Sequence, residues 1–223
     1  QFYVTAPQDC PYLDNQVERK LFTALYGSNS RRLNNSLSKQ GFRRSQNVLY
    51  RPSCANCSAC MSARISSREF KPSKSQKRII SKNSDIVRVV NPALATDAQY
   101  NLFKKYITAR HPNGGMSDMD ANDFTAMIEE TNVESKLIEY YAKKNGELEL
   151  ISFSLVDILD DGISMVYSVF NPYLKERSLG TYMIIDHNKL AIEMTLKFIY
   201  LGYWVKGSSK MDYKKRFSPL EVF

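Results

Sequence analysis

The cysteines offer the clearest chemistry in this sequence. Cys54, Cys57 and Cys60 follow one another at three-residue steps, and the fourth cysteine, Cys10, lies far upstream. Thiolates separated by two residues suit zinc or an iron–sulfur cluster, because one tight turn can aim both sulfurs at the same ion. The pattern predicts a shared metal or cluster site formed by these four residues.

Two other states of the cysteines remain open: reduced thiols without a metal, and two disulfides, which the even count permits. Disulfides fit the spacing poorly, because Cys57 can pair with only one of its neighbours. Four cysteines are few for a secreted chain of 223 residues. The segment that starts at Gln1 also lacks the basic and apolar regions of a secretory leader. The expected location is the cytoplasm.

The charge of the chain favours a polyanionic partner. Lysine and arginine number 31 against 23 acids, a net charge of +8. Between Arg31 and Arg88 only Glu69 and Asp85 are acidic, and aromatic residues are interleaved with the cations. Such a stretch is typical of phosphate contacts and base stacking, so RNA is the expected partner and a solvated basic face is the alternative. No apolar run approaches the roughly 20 residues of a membrane helix, so no membrane partner is expected.

Hydrophobic periodicity predicts the elements that must position these groups. A capping box at Thr96 and Gln99 predicts a helix that ends before Pro112, and Asn145-Gly146 predicts a hairpin turn. The basic stretch Lys71–Lys82 is expected to be an exposed loop. Further helices are predicted at Asn15–Tyr26, Asn122–Glu130 and Leu179–Leu196. Strands are predicted at Asn47–Tyr50, Ala63–Ile65, Ile86–Val90, Lys136–Ala142, Leu148–Leu159, Ile163–Phe170 and Phe198–Val205.

The order after residue 136 is a meander, a loop, a long helix and a strand. The loop contains Arg177, Ser178, Gly180 and Thr181, and it places free backbone N–H groups at the start of the helix. Such a helix start can bind phosphate or another anion. The loop resembles the pyrophosphate loop of GCN5-related N-acetyltransferase folds, in which a helix N-terminus faces an acyl donor.

Several specific segments occur in a characteristic order along nearly the whole chain. They are Asp9–Leu13, Gly41–Asn47, Arg51–Cys60, Arg110–His111, Gly114–Met116, Asp161–Ser168, Arg177–Tyr182, Tyr200–Val205 and Lys210–Phe217. Together they resemble the bacterial aspartate/glutamate leucyltransferases, which are relatives of the arginyl-tRNA–protein transferases. The resemblance implies transfer of leucine from leucyl-tRNA to the α-amino group of proteins that begin with Asp or Glu, which gives the product an N-terminal degradation signal.

The basic loop and the order of elements after residue 136 predict the architecture, and the resemblance indicates the candidate cofactor. The expected class is α+β or α/β, with a cysteine-bearing N-terminal part at residues 1–90. A GCN5-related N-acetyltransferase-like domain at residues 91–223 is expected to follow and to pack closely against it. No cofactor is required for the chemistry. Relatives in eukaryotes are associated with an iron–sulfur cluster, and this cluster or zinc is the candidate at the four cysteines.

Aminolysis of an ester sets the demands on the remaining side chains. The pKa of an α-amine is about 7.7–8.0, so an appreciable fraction of the nucleophile is neutral at neutral pH. A strong general base is therefore unnecessary, and positioning can supply most of the acceleration. The polar residues best placed near the helix start are Tyr167, Ser168, Tyr182 and Asp186, taken as a group. An acidic acceptor side chain calls for a guanidinium. The candidates for this contact are Arg43, Arg44, Arg51 and Arg110, each of which could instead contact a tRNA phosphate or form a surface salt bridge.

Three alternative functions stay open from the sequence alone. Arginine is a possible donor instead of leucine, because no motif in the residues selects between the two. An acetyl-CoA-dependent N-acetyltransferase would be expected to have a fuller glycine-rich loop than Arg177–Thr181. A non-catalytic RNA-binding protein with a zinc ribbon would leave the strand Asp161–Ser168 and the long helix unexplained.

Overall fold

The structure is a computed structural model, and it describes residues 1–112 and 114–223. In chain order the strands are β1 (Tyr3–Val4), β2 (Gln8–Asp9), β3 (Val17–Glu18), β4 (Lys20–Ala24), β5 (Arg43–Ser45), β6 (Val48–Pro52), β7 (Cys60–Ser66), β8 (Val87–Pro92), β9 (Ser135–Lys144), β10 (Glu147–Ile158), β11 (Gly162–Phe170), β12 (Phe198–Val205) and β13 (Leu220–Val222). The helices are α1 (Ser30–Ser38), α2 (Lys74–Lys82), α3 (Asp97–Arg110), α4 (Ala121–Glu129) and α5 (Leu179–Glu193). Short 3-10 helices lie at Lys175–Arg177 and Ser209–Arg216.

A seven-stranded mixed sheet forms the centre of the fold, in the order β13-β7-β12-β11-β10-β9-β8. Strands β9, β10 and β11 form the predicted antiparallel meander. Asn145 and Gly146 join the first two with φ values of 53° and 92°, as a tight hairpin turn requires. Strand β12 is parallel to β11, and the chain crosses between them through α5. This arrangement confirms the expected mixed α/β class.

Helices cover both faces of this sheet. Helix α5 buries Met183, Ile184 and Leu190 against one face. Helices α3 and α4 bury Phe103 and Phe124 against the other face. The side chains of successive strand residues point to opposite faces, so the central strands contribute to both layers of the core.

The capping box of α3 is present as predicted. The backbone N–H of Gln99 donates to the Thr96 hydroxyl at 3.3 Å, and the backbone N–H of Thr96 donates to the Gln99 side chain at 2.9 Å. Leu102 and Ile107 then face the core, and the helix ends at Arg110. The sequence signal located this helix because its cap and its apolar face agree.

Two predicted elements are wrong. Asn15–Tyr26 was expected to be a helix, but it forms β3 and β4, because β4 pairs with β6 from Lys20↔Pro52 to Ala24↔Val48. Lys71–Lys82 was expected to be a loop, but most of it forms α2. Ser73 and Gln76 form a capping box there.

The N-terminal residues form a second, four-stranded sheet in the order β1-β4-β6-β5. Helix α1, which the sequence did not reveal, closes over it and buries Leu37 beside Leu25, Phe42 and Leu49. The large sheet takes β7 and β8 from before residue 92 and β13 from the last residues of the chain. The division into 1–90 and 91–223 stays a prediction. Within the described ranges, no helix has both the length and the apolar character needed to cross a membrane.

Candidate active site

The large sheet opens between its two parallel strands. Strands β11 and β12 pair only at Gly162↔Phe198, Ile163↔Ile199 and Ser164↔Tyr200. Beyond these pairs β11 continues beside β10, and β12 continues beside β7. A wedge-shaped gap therefore widens toward the carboxyl ends of β11 and β12, and we call it the strand opening. Its walls are the 165–170 and 201–205 segments of the two strands.

Arg43 occupies the narrow end of the strand opening. It lies on β5, is 9% exposed, and donates to the Ser164 hydroxyl at 3.2 Å and to the Met165 carbonyl oxygen. On the other wall the Arg43 guanidinium packs against Gly202. A Cβ at Gly202 would lie 3.2 Å from Arg43 Nε, and the φ of +80° at this position also favours glycine. The N-terminal part of the chain thus contributes a cation to an opening built by the C-terminal part.

Lys214 lies beside Arg43, and the sequence analysis did not identify it. It belongs to the 3-10 helix Ser209–Arg216, is 4% exposed, and donates to the Tyr203 carbonyl oxygen. Burial lowers the pKa of Lys214 to about 7, and the positive charge of Arg43 adds to this effect. Three basic residues in a row, Lys214, Lys215 and Arg216, gave no signal that the first of them would be buried.

Tyrosines line the wider part of the strand opening toward α3. Tyr167 of β11 packs against Phe103, with ring centroids 6.4 Å apart. Burial raises the pKa of Tyr167 to about 12, with a smaller contribution from Tyr106. Burial also raises the pKa of Tyr106. Both phenols therefore stay protonated near neutral pH and can donate hydrogen bonds.

The four predicted catalytic residues do not form one group. Tyr167 lies on the α3 side of the sheet. Ser168 lies on the opposite side, where its hydroxyl is 3.0 Å from that of Ser154. Tyr182 lies on α5, and its ring packs edge-on against Tyr140 with centroids 5.8 Å apart.

Asp186, the fourth of these residues, belongs to an ion-pair network on α5. Its carboxylate accepts hydrogen bonds from the Tyr140 hydroxyl at 2.9 Å and from Arg88 at 3.2 Å. The same carboxylate contributes, after burial, to raising the pKa of Tyr182 to about 12. These contacts join β8 and β9 to α5, so Asp186 has a structural role that its sequence position did not indicate.

The predicted acceptor-binding arginines also have different surroundings. Arg44 forms a buried, bidentate ion pair with Asp157, with both N–O distances 2.6 Å and both side chains 1% exposed. Arg51 is exposed and lies 5.4 Å from the centroid of the Phe42 ring. Arg110 is exposed at the end of α3. Of the four, only Arg43 is both inside the strand opening and without a carboxylate partner among the described residues.

The loop before α5 has the backbone geometry of an anion site, but its arginine is already paired. Ser178 adopts a left-handed conformation with φ of 50°, and no side chain caps the N-terminus of α5. Gly180 allows Phe170 to pack against the helix start, since a Cβ there would lie 3.3 Å from the ring. Arg177 forms two hydrogen bonds of 2.9 Å with Asp85. The backbone N–H groups of Ser178 and Thr181 donate to the carbonyl oxygens of Lys175 and Ser178. The backbone N–H groups of Leu179 and Gly180, at the start of the helix, are therefore the groups in this loop best suited to an anion.

The four cysteines are free thiols that influence one another. Burial, with smaller contributions from the charges of Cys10, Cys54 and Cys57, raises the pKa of Cys60 to about 11. The set offers the soft sulfur donors that zinc and iron–sulfur clusters prefer. Among the residues that the structure describes, however, no three Cys, His, Asp or Glu side chains are grouped closely enough to hold a metal ion. The donor chemistry fits a metal or cluster, while the side-chain positions lack a closed coordination site.

The meander, the crossing helix α5 and the opening beside a parallel strand define a mixed α/β fold. A solved structure with this type of fold is the C-terminal domain (DUF2156) of a putative lysylphosphatidylglycerol synthetase from Agrobacterium fabrum. It is 9% identical, with a TM-score of 0.55 over 86% of this chain and 65% of that chain. The family models for the N terminus and the C terminus of arginine-tRNA-protein transferase match residues 8–78 and 98–223. The chain belongs to this family.

Curated relatives match along the whole chain. An aspartate/glutamate leucyltransferase from Ruegeria pomeroyi is 58% identical over 223 residues, which cover 100% of this chain and 81% of that relative. A protein of the same name from Paracoccus denitrificans is 55% identical over 232 residues, covering 100% of this chain and 83% of its own length.

Proposed function

We propose that this protein transfers leucine from leucyl-tRNA to the α-amino group of proteins that begin with Asp or Glu. The observation that carries the proposal is the similarity along the whole of this chain, at 55–58% identity, to proteins named aspartate/glutamate leucyltransferases. The product would carry leucine at its N-terminus as a degradation signal. Because the donor is a charged tRNA, the proposed location is the cytoplasm.

The strand opening is the proposed place of acyl transfer. The nucleophile is an α-amine with a pKa of about 7.7–8.0, so an appreciable neutral fraction exists at neutral pH. Holding the amine against the ester can contribute up to about 7–11 kcal/mol, and a hydrogen-bond donor at the carbonyl oxygen stabilises the tetrahedral intermediate. The protonated Tyr167 hydroxyl is one candidate donor. The leaving group is a ribose hydroxyl, which is expelled as the amide bond forms.

The tRNA is proposed to bind along α2 and the adjoining start of α5. Helix α2 packs against α5, and its Gln76 side chain donates to the Arg216 carbonyl oxygen at 2.9 Å. Its cations point away from this contact. The exposed cations of α2 are Lys74, Lys77, Arg78 and Lys82. Exposed cations suit phosphate contacts. Each contact that is removed should reduce, by about one, the slope of a plot of the logarithm of the tRNA binding constant against the logarithm of the salt concentration.

We also propose that Cys10, Cys54, Cys57 and Cys60 hold zinc or an iron–sulfur cluster when one is bound. Such a group would tie the 54–60 turn to the N-terminal segment and thereby stabilise the fold around β7. The transfer reaction itself needs no step on this group. Metal and sulfide analysis of anaerobically purified protein, with a melting curve before and after chelation, tests the assignment.

Transfer of labelled leucine tests the proposed function. Purified protein is mixed with leucyl-tRNA and peptides that differ only in their first residue: Asp, Glu or Ala. Leucine is expected on the Asp and Glu peptides and not on the Ala peptide. Absence of leucine from all three, with correctly charged tRNA, would overturn the proposal.

Arginine transfer is the second candidate, since the matching family models are those of arginine-tRNA-protein transferases. The same peptides with arginyl-tRNA distinguish the two donors. Preferential arginine transfer would replace leucine by arginine in the proposal and leave the acceptor unchanged.

A further inference from the structure

Among the residues that the structure describes, two buried cations lack a carboxylate partner. The other buried side chains that are charged at neutral pH are compensated. Arg44 and Asp157 bind each other, and Glu139 accepts hydrogen bonds from Gln99, Asn91 and Tyr141. Within the described residues, Arg43 and Lys214 contact only neutral groups.

These two cations lie against consecutive residues of one strand, near enough for the charge of Arg43 to act on Lys214. The Arg43 guanidinium packs on Gly202, and the Lys214 ammonium donates to the carbonyl oxygen of Tyr203. A guanidinium has five N–H donors and an ammonium has three. The protein contacts of Arg43 use two of its five, so donors remain for a ligand. An uncompensated pair of buried charges is costly to the fold, so a function that needs an anion there explains its presence.

We propose that Arg43 and Lys214 together bind the side-chain carboxylate of the acceptor's first residue. This inference rests on the proposed function and deepens it, because it assigns the selectivity for Asp and Glu to one residue of the N-terminal sheet and one residue of the last 3-10 helix. Arg43 supplies a planar, permanently charged donor set, and Lys214 supplies a second charge at its side. Together they form the acceptor carboxylate site.

A carboxylate fits this position better than the other charged groups of the reaction. The leucyl group carries a positive ammonium, which two cations would repel. The tRNA phosphates are bulky and solvated, and the exposed cations of α2 suit them better. The acceptor carboxylate is small, and it is attached close to the amine that must enter the strand opening.

Lys214 makes binding at this site dependent on protons. In the free protein, burial and the charge of Arg43 hold the pKa of Lys214 at about 7. The other titratable side chain that faces Lys214 is Tyr213 on its own helix, whose ring centroid lies 5.7 Å from the ammonium and whose pKa burial raises. The contact with Tyr203 is made through the backbone carbonyl oxygen, because the Tyr203 phenol donates to the Gly41 and Tyr50 carbonyl oxygens instead. A bound carboxylate raises the pKa of Lys214 again. Above pH 7, binding of an acidic acceptor should therefore be accompanied by uptake of a proton at Lys214, whereas binding of a neutral acceptor should not.

The first test compares acceptors that differ only in charge. For Lys214→Met, kcat/KM with an Asp peptide should fall about ten- to a hundredfold. The matching Asn peptide lacks the carboxylate, so its kcat/KM is expected to be a much lower residual value already in the wild type. This residual value and the Kd for leucyl-tRNA should change less than about twofold. The matched control is Lys215→Met, because Lys215 is exposed and pairs with Asp212, and it should leave all three values unchanged. Equal losses with both peptides would indicate a merely structural role, and weaker tRNA binding with a reduced salt slope would indicate a phosphate contact. Either result overturns the proposal.

A second test needs no variant and so does not depend on folding. Calorimetric titration of the wild-type protein at pH 8, in two buffers of different ionisation enthalpy, measures the protons taken up on peptide binding. Binding of the Asp peptide should be accompanied by the uptake of close to one proton more than binding of the Asn peptide. Equal uptake with the two peptides would exclude Lys214 from the acceptor carboxylate site.

Discussion

Replacing Lys214 by methionine should make the protein more stable near neutral pH while it impairs transfer to acidic acceptors. Methionine is similar in length and carries no charge, so it fills the same space beside Arg43 without the cost of a buried ammonium. The cost follows from the pKa. In the folded protein the pKa of Lys214 is about 7, whereas in the unfolded chain it is about 10.4.

The difference of about 3 pH units corresponds to roughly 4 kcal/mol at pH 7, since each unit is worth 1.36 kcal/mol. Between the two pKa values the unfolded chain binds the proton and the folded protein does not, so wild-type stability rises with pH across this window. The charge penalty should fall by about 2 kcal/mol from pH 7 to pH 9. Loss of the hydrogen bond to the Tyr203 carbonyl oxygen offsets part of the gain in the variant, by about 1–3 kcal/mol at every pH.

Urea denaturation under reducing conditions at pH 7, 8 and 9 measures this effect for the wild type, Lys214→Met and Lys215→Met. The free energies of unfolding of the wild type and Lys214→Met should approach or cross each other as the pH rises. The Lys215→Met variant should stay parallel to the wild type, because Lys215 is exposed. Parallel curves for Lys214→Met would refute the argument, because they would mean that Lys214 keeps its proton in the folded protein.

Three further substitutions test other parts of the structure. Arg44→Ala should lower the free energy of unfolding by about 3–5 kcal/mol in denaturant titrations, because it leaves the buried Asp157 carboxylate without its partner; a loss below about 1 kcal/mol would contradict this. Gly202→Ala should destabilise the protein by at least about 1–2 kcal/mol through its positive φ. It should also lower kcat/KM for Asp peptides more than for Asn peptides, since the new methyl group displaces Arg43; equal losses would argue against that reasoning. Thr96→Ala should cost about 1 kcal/mol in the same titrations, with transfer activity unchanged at temperatures where the protein is folded.

The C-terminal half of the fold could be predicted because its local signals agree with its tertiary structure. The hairpin turn at Asn145-Gly146 and the capping box at Thr96 each specify a local geometry, and the flanking strands and helices pack without contradicting it. The N-terminal half differs. In Asn15–Tyr26 the apolar spacing suited a helix, but pairing with β6 determines the observed strand. The sequence contains the capping box at Ser73 that begins α2, but the high density of cations in this stretch favoured the prediction of an exposed loop.

The candidate site could be predicted only in part, because its residues come together through tertiary structure. Arg43 was one of four candidate arginines, and nothing in the sequence distinguished it from Arg44, whose partner Asp157 lies 113 residues away along the chain. Lys214 belongs to the characteristic segment Lys210–Phe217, but its burial depends on how a short 3-10 helix packs on β12. The opening between β11 and β12 follows from where their pairing stops, which no residue pattern encoded.

A competition among donors tests the central claim most directly. One reaction contains the protein, an Asp peptide, leucyl-tRNA, arginyl-tRNA and acetyl-CoA at equal concentrations, and mass spectrometry identifies the group added to the peptide N-terminus. The proposed function predicts that leucine is the main addition and that an Ala peptide stays unmodified. Arginine or acetyl as the main addition, or equal modification of the Ala peptide, would contradict it.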